Sequence, residues 1–415
     1  MKFNRLEIRK LFGLLDYSIP LDENEITMLT GPNGYGKTMI LNILHSIMAN
    51  HLNVLCTLKF EQIALYHQKG TVFITGDESG CLTLLSEGIS GTEPVAETLM
   101  LKEEKQHVNS WTRIIFDGDD KNVPNSKPKY ARLKSNVLGT LFPEGFISFI
   151  RADRLEKATD GVTVIDRCAD QLRNLMGAAE DESASLSQKL DATFPIRLFQ
   201  RLQKQKSLYY TNIQQRLIGI QGKRRDYMQF GLIQKQEELL PDEGDAIEGS
   251  REYLNVLDLY INDAMEKMSP FETLHKKIDL FESILREKVL AFKHVHISRE
   301  HGFSFISENG DPVGRNMLSS GEQNQIVLLF CLIFNLRMHK VILIDEPEIS
   351  LHVAWQQTFL DSLKKIQKIN NYEKVIIATH SPAVISKNWP LTYDLYDIAH
   401  KDKAASKTKT RGEPE

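Results

Sequence analysis

Cysteine is scarce in this chain. The four present (Cys56, Cys81, Cys168 and Cys331) lie far apart and no two form a C-x-x-C pair. That spacing argues against a structural zinc, a zinc-hook tip and a disulfide framework, and it fits a reduced, cytoplasmic setting. Long apolar runs are also missing, and none approaches the roughly 20 residues a membrane span needs. The start, Met1-Lys2-Phe3-Asn4-Arg5, leads into alternating residues and not into the apolar core of a signal peptide. Neither charge sign dominates: 51 Lys and Arg against 55 Asp and Glu give a formal net charge of -4. No global basic field therefore announces nucleic acid, and any DNA or RNA contact would need a local patch. Gly and Pro are not in excess, so low-complexity and fibrous classes are excluded. With 41% hydrophobic residues over 415 positions, the chain can build two or three full cores.

The strongest signal present is Gly31-Pro32-Asn33-Gly34-Tyr35-Gly36-Lys37-Thr38, which reads GxxxxGKT. Such a loop cradles phosphate through inward-turned backbone N–H groups and the positive end of the helix that follows. Its flanks agree. Glu25 to Thr30 suits a buried strand, and Met39 to Leu44 opens an apolar helix expected to reach about Met48. Asn33, Gly34 and Gly36 are candidate phosphate-binding positions. Lys37 would meet the β and γ phosphates, and Thr38 would offer a hydroxyl to Mg²⁺.

In the first thirty residues two strands are predicted, around Phe3–Ile8 and Ile26–Thr30. Phe12 and Tyr17 between them suit either an adenine stack or an edge-hairpin core. From Val54 to Phe116 short alternating segments predict a small antiparallel β-subdomain, and the polar stretch 117–136 reads as a loop. Phe146–Ile150 predicts a strand of the core sheet. The following Arg151-Ala152-Asp153-Arg154 would lie near phosphate or a subunit contact, or be a solvated loop. From about Asp181 to Phe292 the pattern is helical and charged, broken at Pro241–Asp245 into two arms, with no sustained heptad. Lys223-Arg224-Arg225, with Arg201, Lys204 and Lys206, is the most basic cluster, read as a solvated face or a phosphate-backbone contact. His294–Ser298 and Phe303–Ser307 predict a hairpin. His294 and His296 share one face of it, without the further ligands a metal needs.

Three later motifs follow in order. Leu318-Ser319-Ser320-Gly321-Glu322-Gln323 precedes an apolar helix predicted at Ile326–Leu336, a second anion-binding helix start with the Ser319 hydroxyl. Across a dimer it could close over the γ-phosphate held by a partner's Lys37. Val341-Ile342-Leu343-Ile344-Asp345-Glu346-Pro347 is an apolar strand ending in two carboxylates, the Walker B pattern. Asp345 would share Mg²⁺ with Thr38, and Glu346 would polarise the attacking water. Val375–Ala378 leads to Thr379-His380-Ser381-Pro382, where His380 can contact the γ-phosphate or that water.

GPNGYGKT, LSSGEQ, ILIDEPEISLH and IIATHSP together resemble the ABC-type ATPases, and more closely the soluble SMC-like and OLD-like branch with its AAA-type relatives. That branch includes ATPase subunits of anti-phage systems such as Gabija, Septu, PARIS and several retron systems. The resemblance covers residues 1–150 and 290–390. It implies an α/β fold: a P-loop ABC-type ATPase core with an antiparallel β-subdomain and a helical insertion. It divides the chain into 1–155 and 293–392 as the two parts of the ATPase domain, 156–292 as a helical arm region, and 393–415 as a disordered tail. The cofactors implied are ATP and Mg²⁺. Lys37, Glu346 and His380 take catalytic roles, Ser319 and Gly321 meet the partner's γ-phosphate, and Thr38 and Asp345 hold the metal. The implied partners are a second copy or higher homo-oligomer and a separate nuclease or toxin effector, with DNA or RNA as a further option and no membrane. Two departures stand out. No Q-loop glutamine follows Phe146–Ile150, and the roughly thirty residues after Ser381 are too few for a Toprim domain.

Overall fold

A computed structural model describes residues 3–22, 24–77, 79–88, 95–100, 133–155, 162–203, 209–233, 251–288, 290, 292–335 and 339–400. In chain order, the first half holds β1 (Phe3–Leu11), β2 (Leu15–Pro20), β3 (Ile26–Thr30), α1 (Lys37–Met48), α2 (Asn53–Thr57), β4 (Gln62–His67), β5 (Gly70–Gly76), β6 (Leu82–Glu87), β7 (Val95–Leu99), α3 (Asn136–Leu141) and β8 (Ile147–Ile150). Three helices follow: α4 (Val164–Gln203), α5 (Tyr210–Gln229) and α6 (Arg251–Lys288). The remainder comprises β9 (Lys293–Ser298), β10 (Gly302–Ser307), β11 (Pro312–Val313), α7 (Ser320–Phe334), β12 (Val341–Asp345), α8 (Val353–Asn370), β13 (Lys374–Ala378), α9 (Pro382–Ile385) and β14 (Thr392–Asp394). The chain divides into two compact units, residues 1–154 with 331–415, and residues 155–330.

The first unit is α/β. Its parallel sheet has the order β14-β3-β13-β12-β8. Every residue of β3, β12 and β13 is buried. This is why their sequences run apolar without alternation: a parallel strand covered on both faces has no solvent side. Register pairs Ile344 with Ile377 and with Ile150, and Ile377 with Met28. The strands therefore end level, with Thr30, Thr379, Asp345 and Arg151 at one edge. The second sheet is antiparallel, β2-β1-β4-β5-β6-β7, and its β6 alternates buried and exposed residues as its sequence does. Between the sheets lies one core, in which Leu6, Ile8 and Leu11 of β1 share a cluster with Ile40, Leu41, Ile43, Leu44 and Ile47 of α1 and with Leu343 and Ile376. A helix buried on most sides needs apolar residues on most sides, and each such side chain stabilises the unit by about 1.5–3 kcal/mol.

Three strands, not two, occupy the first thirty residues. Gly13 turns β1 back into β2 at φ 78°, and β2 faces Tyr17 and Ile19 into the core. Residues Asn53–Thr57 form the short α2 where an extended segment is predicted from Val54. Five residues are too few to display a helical period. β14 and a helical turn over 395–400 fall within the stretch expected to be a tail, and Leu395 and Ala399 belong to the core.

In the second unit α4 and α5 both pack on α6, and β10 of the sheet β11-β10-β9 packs on α4. Gly302 makes that last contact possible. It has φ +65°, and a Cβ there would stand 1.9 Å from the Ala169 carbonyl oxygen. The helices are braced by ion pairs: Arg197 with Asp263, and both Arg201 and Arg216 with the buried Asp258. Arg201 is thus half-buried and committed to Asp258, which removes it from the basic cluster read in the sequence. Lys204 and Lys206, the Pro241–Asp245 break, the loop through 132 and the tail from 401 lie outside the described residues.

Candidate nucleotide-binding site

The loop between β3 and α1 owes its shape to three glycines at positive φ: Gly31 at 128°, Gly34 at 88° and Gly36 at 79°. Residues with a Cβ rarely adopt such angles. The loop leaves Asn33 and Gly34 exposed and delivers Lys37 and Thr38 as the first two residues of α1. Lys37 is 6% exposed. Its Nζ donates to the carbonyl oxygens of Gly31 (2.9 Å) and Pro32 (3.1 Å). Burial lowers its pKa, while the carboxylates of Glu346, Asp345, Glu348 and Asp394 oppose that shift. Asn42 Nδ2 holds the Thr38 carbonyl at 3.0 Å.

Thr38 and Asp345 meet. The Thr38 hydroxyl donates to the carboxylate at 2.9 Å from Oδ2 and 3.1 Å from Oδ1, across 307 residues of sequence. Asp345 is 4% exposed. Burial pushes its pKa up to about 6, with Glu346 and Glu348 adding to the rise and Thr38 and Arg151 opposing it. A buried carboxylate beside two more carboxylates is short of positive charge. This donor set suits Mg²⁺, which takes one or two protein oxygens and completes its shell with phosphate and water.

Glu346 follows at φ 43°, a left-handed conformation, with its N–H donating to the Ala378 carbonyl at 2.9 Å. Such a backbone costs on the order of 1–2 kcal/mol, and it turns the chain sharply at the sheet edge. Glu348 accepts the His380 N–H at Oε1 (2.7 Å), which ties the Walker B turn to the loop after β13. Its Oε2 is buried with no partner. The His380 side chain is exposed, and Ser381 caps α9. From the sequence, Glu348 to His352 reads only as a segment where a second subunit could be contacted, with no role for Glu348 within its own site. Its place three residues after Asp345 was the available signal.

Arg151 and Arg154 follow β8. Arg154 is 1% exposed, donating from Nη2 to the Pro347 carbonyl (3.3 Å) and from Nη1 to the Arg151 carbonyl (3.4 Å). Burial pulls its pKa down to about 10, against the opposing charges of Glu348, Asp345 and Glu346. It is no solvated loop residue. The Arg151 guanidinium rests over the Phe149 ring at 4.9 Å.

Phe12 and Tyr17 separate cleanly. Tyr17 is buried, and its hydroxyl donates to the Tyr35 carbonyl at 2.6 Å, so it is a core residue. Phe12 is exposed, and its ring reaches the phosphate loop, where a Cβ on Gly36 would touch it at 3.3 Å. It lines a cavity of about 490 Å³ with Met39, Val54, Thr57, Leu58 and Lys59.

The signature residues lie in the other unit. Ser319 and Glu322 form a capping box at the start of α7. Ser319 Oγ accepts the Glu322 N–H at 3.2 Å, and Glu322 Oε2 accepts the Ser319 N–H at 2.8 Å. Gly321 lies in the first turn of α7. Lys293 holds Glu322 from the other side at 2.7 Å. Lys223 and Arg225 are exposed, while Arg224 donates to the Tyr260 hydroxyl at 3.3 Å. His294 and His296 face solvent, and among the described residues no group of three His, Cys, Asp or Glu could hold a metal.

No helix among the described residues is long and apolar enough to cross a membrane. No curated protein matches the sequence significantly. Among solved structures the chain is similar to the SMC head domain from Thermotoga maritima, at 10% identity and a TM-score of 0.33, over 93% of this chain and 91% of that one. It is similar too to an SMC head bound to the C-winged helix domain of ScpA, at 11% identity and a TM-score of 0.38, over the same shares. Residues 1–385 match the AAA ATPase domain family, and the chain belongs to that family.

Proposed function

We propose that this chain binds and hydrolyses ATP at Gly31–Thr38 and Asp345–Glu346. The observation that carries this is the hydrogen bond from Thr38 to Asp345, which joins the phosphate loop to the carboxylate strand. Lys37 exchanges its two loop carbonyls for the β and γ phosphates. Thr38 and Asp345 hold Mg²⁺, which when bound neutralises charge on the phosphate tail. Glu346 accepts a proton from the attacking water. The water oxygen bonds to the γ-phosphorus as the bond to the β–γ bridging oxygen breaks, and that oxygen leaves with the bond pair as ADP. His380 contacts the γ-phosphate or the water, and Phe12 offers its ring to the base. Ser319 and Gly321 of a second copy complete the site, so that nucleotide drives assembly.

The wider role we propose is that of an ATPase subunit in a bacterial anti-phage defence complex that controls a separate nuclease or toxin. It is supported by the LSSGEQ, EPE and ATHSP forms of the motifs. Lys37→Ala tests the catalytic reading: steady-state ATP turnover should fall to background, and turnover equal to wild type would refute it. A second reading, a DNA-binding SMC-like ATPase, is favoured by the exposed Lys223 and Arg225. It requires salt-dependent DNA binding that weakens when both are neutralised.

A further inference from the structure

We infer that Arg151 is a catalytic cation that the chain places on the γ-phosphate of its own nucleotide, with Arg154 as its positioning residue. The inference rests on the ATP-hydrolysing reading above. Three observations place Arg151. Ile150 pairs with Ile344, so Arg151 stands beside Asp345 at the edge where the phosphate loop stands. The Arg151 guanidinium rests over the Phe149 ring at 4.9 Å, so the two side chains share one face. That face is the one covered by α1, because the Phe149 ring meets His45 of α1 at 5.8 Å. Its guanidinium is therefore on the phosphate-loop side of the sheet.

What the side chain can do there is narrow. A guanidinium has five donors and no acceptor. It cannot ligate Mg²⁺, so it does not stand in for a Q-loop glutamine as a metal ligand. It can only donate to an anionic oxygen. Among the described residues no carboxylate is in ion-pair contact with Arg151; burial lowers its pKa, and the nearby charges of Asp153 and then Asp345 oppose that shift. Its Nε is buried without a partner. The anion that the phosphate loop would bring to this edge is the triphosphate tail. Arg154 keeps the geometry by bridging the Arg151 and Pro347 carbonyls, which fixes the turn carrying Arg151 against the turn carrying Glu346. As the bond from the γ-phosphorus to the bridging oxygen breaks, donors already aimed at the phosphate stabilise the charge that develops.

The test compares wild type, Arg151→Ala, Arg151→Lys, Arg154→Lys and Lys37→Ala. It uses steady-state hydrolysis together with calorimetric binding of Mg·ADP, with and without aluminium fluoride. Arginines placed on transferring phosphoryl groups accelerate by 10³–10⁵, so Arg151→Ala should lower kcat by about 10³ or more and leave KM within about threefold. It should also abolish the tighter binding of the fluoride complex while keeping that of Mg·ADP. Arg151→Lys keeps charge but loses the planar fork, so its kcat should fall about tenfold. Should Arg151→Ala fail to fold, that variant decides alone. Arg154→Lys should show a partial loss in both readouts. Unchanged kcat in the Arg151 variants overturns the inference, as does loss of Mg·ADP binding in proportion to the fluoride complex, which marks a merely structural role. If wild type does not exceed Lys37→Ala, the ATPase reading itself fails and this inference with it. If wild type does exceed it and Arg151→Ala matches wild type, only the inference fails.

Discussion

Asp345→Asn should make the nucleotide-free protein more stable while abolishing its use of Mg·ATP. The carboxylate is buried and its pKa is pushed up to about 6 from an ordinary 3.8, because burial and the neighbouring Glu346 and Glu348 disfavour its charge. A pKa raised on folding contributes stability that is complete below the unfolded value and is lost as pH rises through the folded one. At about 1.4 kcal/mol per unit, the ionised carboxylate costs about 3 kcal/mol at pH 7.5 and about 1 kcal/mol at pH 4.5. An asparagine carries no charge and can still accept from Thr38, so the variant should recover about 1–3 kcal/mol at pH 7.5. For a unit of this size that is a rise in Tm of a few degrees, at about 2–4 °C per kcal/mol. Thermal unfolding of both proteins at the two pH values measures it directly. The gap should be wide at pH 7.5 and narrow at pH 4.5. Adding Mg·ATP at pH 7.5 should raise the wild-type Tm alone, and chelating the metal should cancel that rise. A variant less stable than wild type at both pH values, or a gap indifferent to pH, would refute the reasoning.

Two further outcomes are expected. Gly302→Ala forces a Cβ to 1.9 Å from the Ala169 carbonyl oxygen at a positive φ, so β10 must move off α4. The loss should be about 3 kcal/mol or more, read as early thermal melting of helical ellipticity, and an unchanged melt would contradict it. Phe12→Ala should raise KM for ATP by about tenfold, in line with roughly 1–3 kcal/mol for a stacked base, and leave inorganic tripolyphosphate affinity unchanged. Equal weakening for both ligands would remove Phe12 from base binding.

Most of the site's chemistry was legible in the sequence because it is local. Glycines at Gly31, Gly34 and Gly36 announce a positive-φ loop, a run such as Val341–Ile344 announces a strand covered on both faces, and the apolar residues after Lys37 announce a buried helix. What was not legible depends on pairings across the chain. Nothing near Arg201 reveals that its partner is Asp258, and nothing near Arg154 reveals that it spans the Arg151 and Pro347 carbonyls. Gly302 reads as an ordinary hairpin glycine until Ala169 is placed against it. Tyr17 and Phe12 are equivalent aromatics in sequence, and only the fold of β1 and β2 sends one inward and leaves the other on the phosphate loop.

The central claim is that Glu346 takes the proton from the water that attacks ATP. A single-turnover measurement with excess protein over Mg·ATP, comparing wild type with Glu346→Gln, tests it most directly. Glutamine keeps the shape and loses the base, so nucleotide should bind with near-normal affinity and persist as ATP, with hydrolysis slowed by about 10²–10⁴. Hydrolysis at the wild-type rate by Glu346→Gln would contradict the account.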